Sequence, residues 1–143
     1  MRFLYMMIMI TLGLTASAEA TTVKEMRLMC ADYQKNNYNV VTKPHAYCAG
    51  YFQAQIQTAE ALCKTLKILY QNKPQHRDMI MGTSTLFATS ASAADYRAVI
   101  SQFVTWAEGK EQFDKKNPSI FMNEYLPKTW PCDPSSPLEK DSE

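Results

Sequence analysis

The chain has 143 residues, 46% of them hydrophobic and 20% charged, with a formal net charge of +1. This suits one small globular domain, and the near-neutral balance excludes a protein built to bind polyanions broadly, whether nucleic acid or an anionic membrane surface.

Arg2 opens a positive N-terminal stretch, Phe3 to Leu14 is apolar, and Ala16-Ser17-Ala18 or Ala18-Glu19-Ala20 offers small residues at a cleavage point. Residues 1–20 therefore read as a secretory signal peptide. A run of about a dozen apolar residues falls short of the roughly 20 that a membrane-spanning helix needs. No later segment is longer, so no membrane attachment is expected after cleavage. The expected layout is a signal peptide over 1–20, a helical domain over 21–132 and a loose polar tail over 133–143.

Thr22 with Glu25 three residues on forms a capping-box pattern for a first helix running to about Gln34. Its apolar positions are Val23, Met26, Met29 or Cys30, and Tyr33. Pro44 suits the first turn of the next helix. That helix is the longest pattern in the chain, from about His45 to Asn72. Cys48, Phe52, Ile56, Ala59, Cys63, Leu66 and Tyr70 recur at steps of three and four, the period of one helical face. Glu60 and Lys64 form a favourable i,i+4 pair.

Pro74 stops the long helix, and Lys73 to Thr85 reads as a loop with one helical turn, broken again at Gly82-Thr83-Ser84. Ser92 with Asp95 starts a further helix whose buried face holds Tyr96, Val99 or Ile100, Phe103, and Trp106 or Ala107. Gly109 is its C-cap. Lys110 to Lys116 is charged and solvated. Asn117 and Pro118 open a short last helix over Ser119 to Leu126, and Pro127 closes it. Trp130-Pro131-Cys132 ties the end back. The expected fold is all-α: a small four-helix domain stapled by two disulfides.

The four cysteines, Cys30, Cys48, Cys63 and Cys132, all follow the signal peptide, and an even number in an exported domain implies two disulfides. Cys48 and Cys63 lie roughly 22 Å apart on a continuous helix at 1.5 Å per residue, beyond the about 7 Å limit for bridged Cα atoms. The pairing 30–48 with 63–132 is preferred, because 30–48 closes the connection between two helices. The alternative is 30–63 with 48–132. No CxxC spacing supports a metal site.

Enzyme signatures are weak. There are two histidines, His45 and His76, and no HExxH, GxSxG or phosphate-binding glycine loop. His76 beside Asp78 could form an acid–base pair, but a solvated loop is the preferred reading. No catalytic residue, cofactor or metal is assigned.

Cys48-Ala-Gly-Tyr-Phe, preceded by Cys30 and followed by Trp130-Pro131-Cys132, resembles the Rap1a/Tai family of small periplasmic immunity proteins. That family carries a C-x-G-Y-[IF] element opening a helix, a later amphipathic helix and often an aromatic-Pro-Cys close. Its usual cysteine in a segment like F-C-x-P has no counterpart in Leu86-Phe87-Ala88-Thr89, and Cys63 is the spare one. The resemblance implies a periplasmic protein that binds and blocks a cognate secreted toxin, such as a peptidoglycan amidase delivered by type VI secretion. It also allows a homodimer. By analogy with members that insert a loop into their toxin, Asn72, Lys73, Gln75, His76, Arg77 and Asp78 are the candidate contacts. The competing reading is a general periplasmic stress helper or chaperone without enzymatic activity.

Overall fold

The computed structural model describes residues 21–87, 89–91 and 96–137. The signal-peptide residues, the Ser92 and Asp95 start signal and the last six residues lie outside them. The described elements are α1 (Val23–Lys35), α2 (Lys43–Asn72), a 3₁₀ turn (Pro74–His76), α3 (Arg77–Phe87), α4 (Tyr96–Ala107), a 3₁₀ turn (Glu111–Phe113), α5 (Ser119–Glu124) and α6 (Leu126–Thr129). The all-α class and the two disulfides are as the sequence led us to expect.

α1 starts on the expected capping box. The Thr22 hydroxyl accepts from the Glu25 N–H at 3.3 Å, and the Glu25 carboxylate accepts from the Thr22 N–H at 2.9 Å. The Thr22 N–H and, at 3.0 Å, the Thr22 hydroxyl both donate to that carboxylate and hold it below its ordinary value. Val23 and Lys24 donate their N–H groups to the carbonyls of Lys116 and Asp114, at 2.8 and 3.2 Å. Segment 110–116 is therefore not simply solvated, as expected from its charge. It satisfies the free donors at the α1 N-terminus, and its Phe113 stacks on Trp106 with centroids 5.4 Å apart.

α2 is one unbroken helix of 30 residues, about 45 Å long. Thr42 caps it, and Pro44 sits in its first turn. Its buried side chains are His45, Cys48, Ala49, Phe52, Ile56, Cys63 and Leu66: the expected stripe gains His45 and Ala49, while Ala59 and Tyr70 are only half-buried. α2 packs against α1, α3 and α4. The main core joins Met26 and Tyr33 of α1 to Phe52 and Ile56 of α2, Ile100 and Phe103 of α4, and Phe121 and Leu126 near the end of the chain. Its centre is aromatic: Phe103 lies 5.0 Å from Phe52 and 5.3 Å from Phe121 between centroids. A second, smaller cluster of Cys63, Leu66, Ile80 and Cys132 lies further along α2.

The disulfides are Cys30–Cys48 and Cys63–Cys132, with Cα atoms 5.4 and 5.7 Å apart. One fastens α1 to the start of α2. The other ties the end of the domain to the distal half of α2. Beside it, Thr89 forms an isolated antiparallel bridge with Pro131, and the Thr89 hydroxyl and Ser90 N–H both donate to the Trp130 carbonyl at 2.8 and 3.0 Å.

Two further expectations change. Lys73 to Thr85 is not a loop: Arg77–Phe87 is a helix of 11 residues. Gly82 and the hydroxyl-rich Thr83-Ser84-Thr85 looked like breakers, and a mid-helix glycine does cost about 1 kcal/mol relative to alanine. Burial of Ile80 against Leu66 and the Cys63–Cys132 bridge outweighs it. The hydroxyls of Thr83, Ser84 and Thr85 donate to carbonyls of the preceding turn at 2.8–2.9 Å. Pro127 also does not end the last helix. The chain turns at Tyr125 and begins α6, in whose first turn Pro127 needs no N–H partner.

Candidate functional site

The residues expected to meet a partner lie where α2 turns into α3. All of Asn72 to Asp78 are exposed. They form a tight helical corner. The Asn72 side-chain amide donates to the Ile68 carbonyl at 2.9 Å, the Lys73 N–H to Leu69 at 2.8 Å, and the His76 N–H to Lys73 at 3.0 Å. Pro74 opens the 3₁₀ turn, where its missing N–H costs nothing. Arg77 closes the corner: its Nε donates to the Tyr70 carbonyl at 3.3 Å and its guanidinium lies 4.8 Å from the Tyr70 ring centroid. Asp78 occupies the first turn of α3, where the helix dipole favours a negative charge.

The corner encloses a recess of about 280 Å³ lined by Leu69, Lys73, Gln75, His76, Met79 and Ile80. The structure thus brings Lys73, Gln75 and His76 to one cavity, with Asn72, Arg77 and Asp78 on the same corner but outside the lining. Met79 is 64% exposed, Ile68 47% and Leu69 39%, an unusual set of large apolar side chains to leave in water at one end of a hairpin. The sequence pointed to the polar half of this surface. That Leu69 shares this surface with Met79 is not legible in the sequence, because only the hairpin joins them and the intervening segment reads as a loop.

His76 and Asp78 make no ion pair among the described residues, which leaves the suggested acid–base pair without geometry. His45 is fully buried. Its Nε2 lies 2.7 Å from the Asp32 carboxylate, and its Nδ1 lies 3.2 Å from the Asn39 carbonyl and 3.5 Å from the Val41 nitrogen. These contacts hold the connection between α1 and α2, in which Asn37 and Tyr38 take φ of 54° and 58°. Tyr38 is kept there by an edge contact with Tyr33 and a hydroxyl hydrogen bond to the Arg97 carbonyl. Nothing in the spacing of Asp32 and His45 signals this arrangement. All four cysteines are disulfide-bonded, and no group of three or more His, Cys, Asp or Glu is placed to hold a metal ion among the described residues.

A more polar cleft of about 340 Å³ includes Lys64, Lys67, Thr89 and Ser136, but its groups are already engaged. Lys64 pairs with Glu60 at 3.3 Å, and Thr89 bonds Trp130 and Ala91. The hairpin recess is the better binding surface. Comparison with family models, curated proteins and solved structures found no match to the chain. The two disulfides place the folded protein in an oxidising environment.

Proposed function

We propose that the protein is a periplasmic immunity-type inhibitor that binds and blocks a cell-wall amidase or similar secreted toxin, with the α2–α3 hairpin tip as its contact surface. The observation that carries this reading is the tip itself. It is a recess with exposed apolar walls and polar rim groups, set on two helices that the Cys63–Cys132 bridge and its cluster hold rigid. Binding by a preordered surface loses little entropy on association. The arrangement of Cys30, Cys48 and the Trp130-Pro131-Cys132 close, which carries the likeness to the immunity family, supports the same reading.

The test is co-purification of the oxidised, exported protein with the wall hydrolase encoded beside it, with stoichiometry from native mass spectrometry. The expected result is a stable complex in which hydrolysis stops. Failure to bind or to protect against that enzyme would remove the reading. The exposed apolar side chains also suit a stress helper. That reading expects a dye such as ANS to bind increasingly as pH falls towards about 2, as apolar surface opens, and a flat curve would count against it.

A further inference from the structure

We infer that the partner surface seated on the hairpin tip is an acidic protein surface with a protruding apolar side chain, which fills the recess while a neighbouring carboxylate meets Lys73. This rests on the inhibitor reading and names the chemistry of its partner.

Shape supplies the first argument. At about 280 Å³ the recess falls just under the roughly 300 Å³ at which small-molecule sites begin. Leu69, Met79 and Ile80 form apolar walls, so the recess fits one large apolar side chain. Met79 is unbranched and polarizable, and adapts to the shape of what enters.

Charge supplies the second. Between Ala61 and Thr85 the chain carries Lys64, Lys67, Lys73 and Arg77 against Asp78 alone, net +3 in a chain whose total is +1. Not all of this charge is available. Lys64 is paired with Glu60. Lys67 lies near Asp133, whose carboxyl is held below its ordinary value by hydrogen bonds from Ser135 and, to a lesser degree, by Lys67. Lys73, on the recess rim, and Arg77 make no ion pair among the described residues and remain for a partner. Arg77 is already ordered by Tyr70, so pairing it with a carboxylate costs little further freedom.

These features favour an acidic protein over the other occupants. A second copy would bring the same cations against the tip. A bilayer has no protruding side chain, so it would leave the recess unfilled.

The test is the kinetics of the complex between the oxidised protein and the toxin, with Lys73→Glu and Met79→Asp compared with wild type. Both positions are exposed, and unchanged circular dichroism and melting would show that the variants fold. For wild type, the association rate should fall about tenfold or more between 50 and 500 mM salt. Lys73→Glu should slow association by about tenfold, and Met79→Asp should speed dissociation by at least about tenfold. A complex with salt-insensitive association and both variants within twofold of wild type overturns the inference and leaves the inhibitor reading standing. If no complex forms, both fall together. Sedimentation with phosphatidylglycerol vesicles that both variants abolish, beside a toxin complex that neither affects, would assign the tip to a bilayer and also overturn the inference.

Discussion

Removing the His45 side chain should be among the most damaging single changes in the chain. It is fully buried, touches Asp32, Asn39 and Val41, and lies 5.6 Å from the Tyr33 ring. His45→Ala leaves a cavity and removes the ring's hydrogen bonds to the α1–α2 connection, and is expected to cost about 2–4 kcal/mol in urea unfolding. Asp32→Asn keeps an acceptor at the same place and should cost about 1 kcal/mol. Equal losses for both variants would mean that charge, not packing, gives His45 its weight. Tyr51 is the opposite case. Its hydroxyl is buried with no hydrogen-bond partner among the described residues, burial pushes its pKa up to about 12, and its ring packs edge-on against Phe52. Tyr51→Phe keeps the ring and removes the unsatisfied oxygen, so the unfolding midpoint should rise, by about 1 kcal/mol in stability.

At the scale of the element, the glycines separate propensity from backbone geometry. Gly82 lies inside α3, and a Cβ there meets nothing within 4 Å. Gly82→Ala should stabilise the protein by about 0.5–1 kcal/mol. Gly109 ends the α4 segment at φ +72°, where a side chain is strained, so Gly109→Ala should destabilise by about 1 kcal/mol despite open space around it. Thermal melting of the two variants should therefore move in opposite directions. The α1 cap gives a pH prediction. Glu25 is held below its ordinary 4.5 by its bonds to Thr22. Its stabilisation is present above that value and fades as pH falls through the lowered one. Glu25→Gln should lose stability at pH 7 and show a smaller further loss on acidification than wild type, as read from urea midpoints at pH 7 and about pH 3.

At the scale of the molecule, the two disulfides close segments of very different span, 18 and 69 residues. Chain entropy assigns them about 3 and about 4 kcal/mol. Replacing Cys63 and Cys132 by alanine should therefore cost more than replacing Cys30 and Cys48. It should also loosen α3 and the hairpin tip before the main core, because Cys63 and Cys132 are half of the small cluster that seats Ile80. Hydrogen exchange across residues 66–87 in the double variant would show this as faster exchange there than in α1 and α4.

The local code was enough for the helix from about His45 to Asn72, the Thr22–Glu25 cap and the all-α class, because each rests on periodicity or capping. Reach along one helix excluded only Cys48–Cys63, and the tertiary structure decided between the two remaining pairings. The third helix was hidden because its cause is remote. Gly82 and three hydroxyl residues outweigh propensity locally, and only contact with Leu66, Cys63 and Cys132 reverses the balance. The same holds for buried His45 with its exposed partner Asp32, and for Lys110 to Lys116, whose carbonyls at Asp114 and Lys116 meet the start of α1 at Lys24 and Val23, far earlier in the chain. At the candidate site, sequence pointed to the polar residues of Asn72 to Asp78. Tertiary structure made them the rim of an apolar recess, because only the packed hairpin brings Leu69 beside Met79 and Ile80.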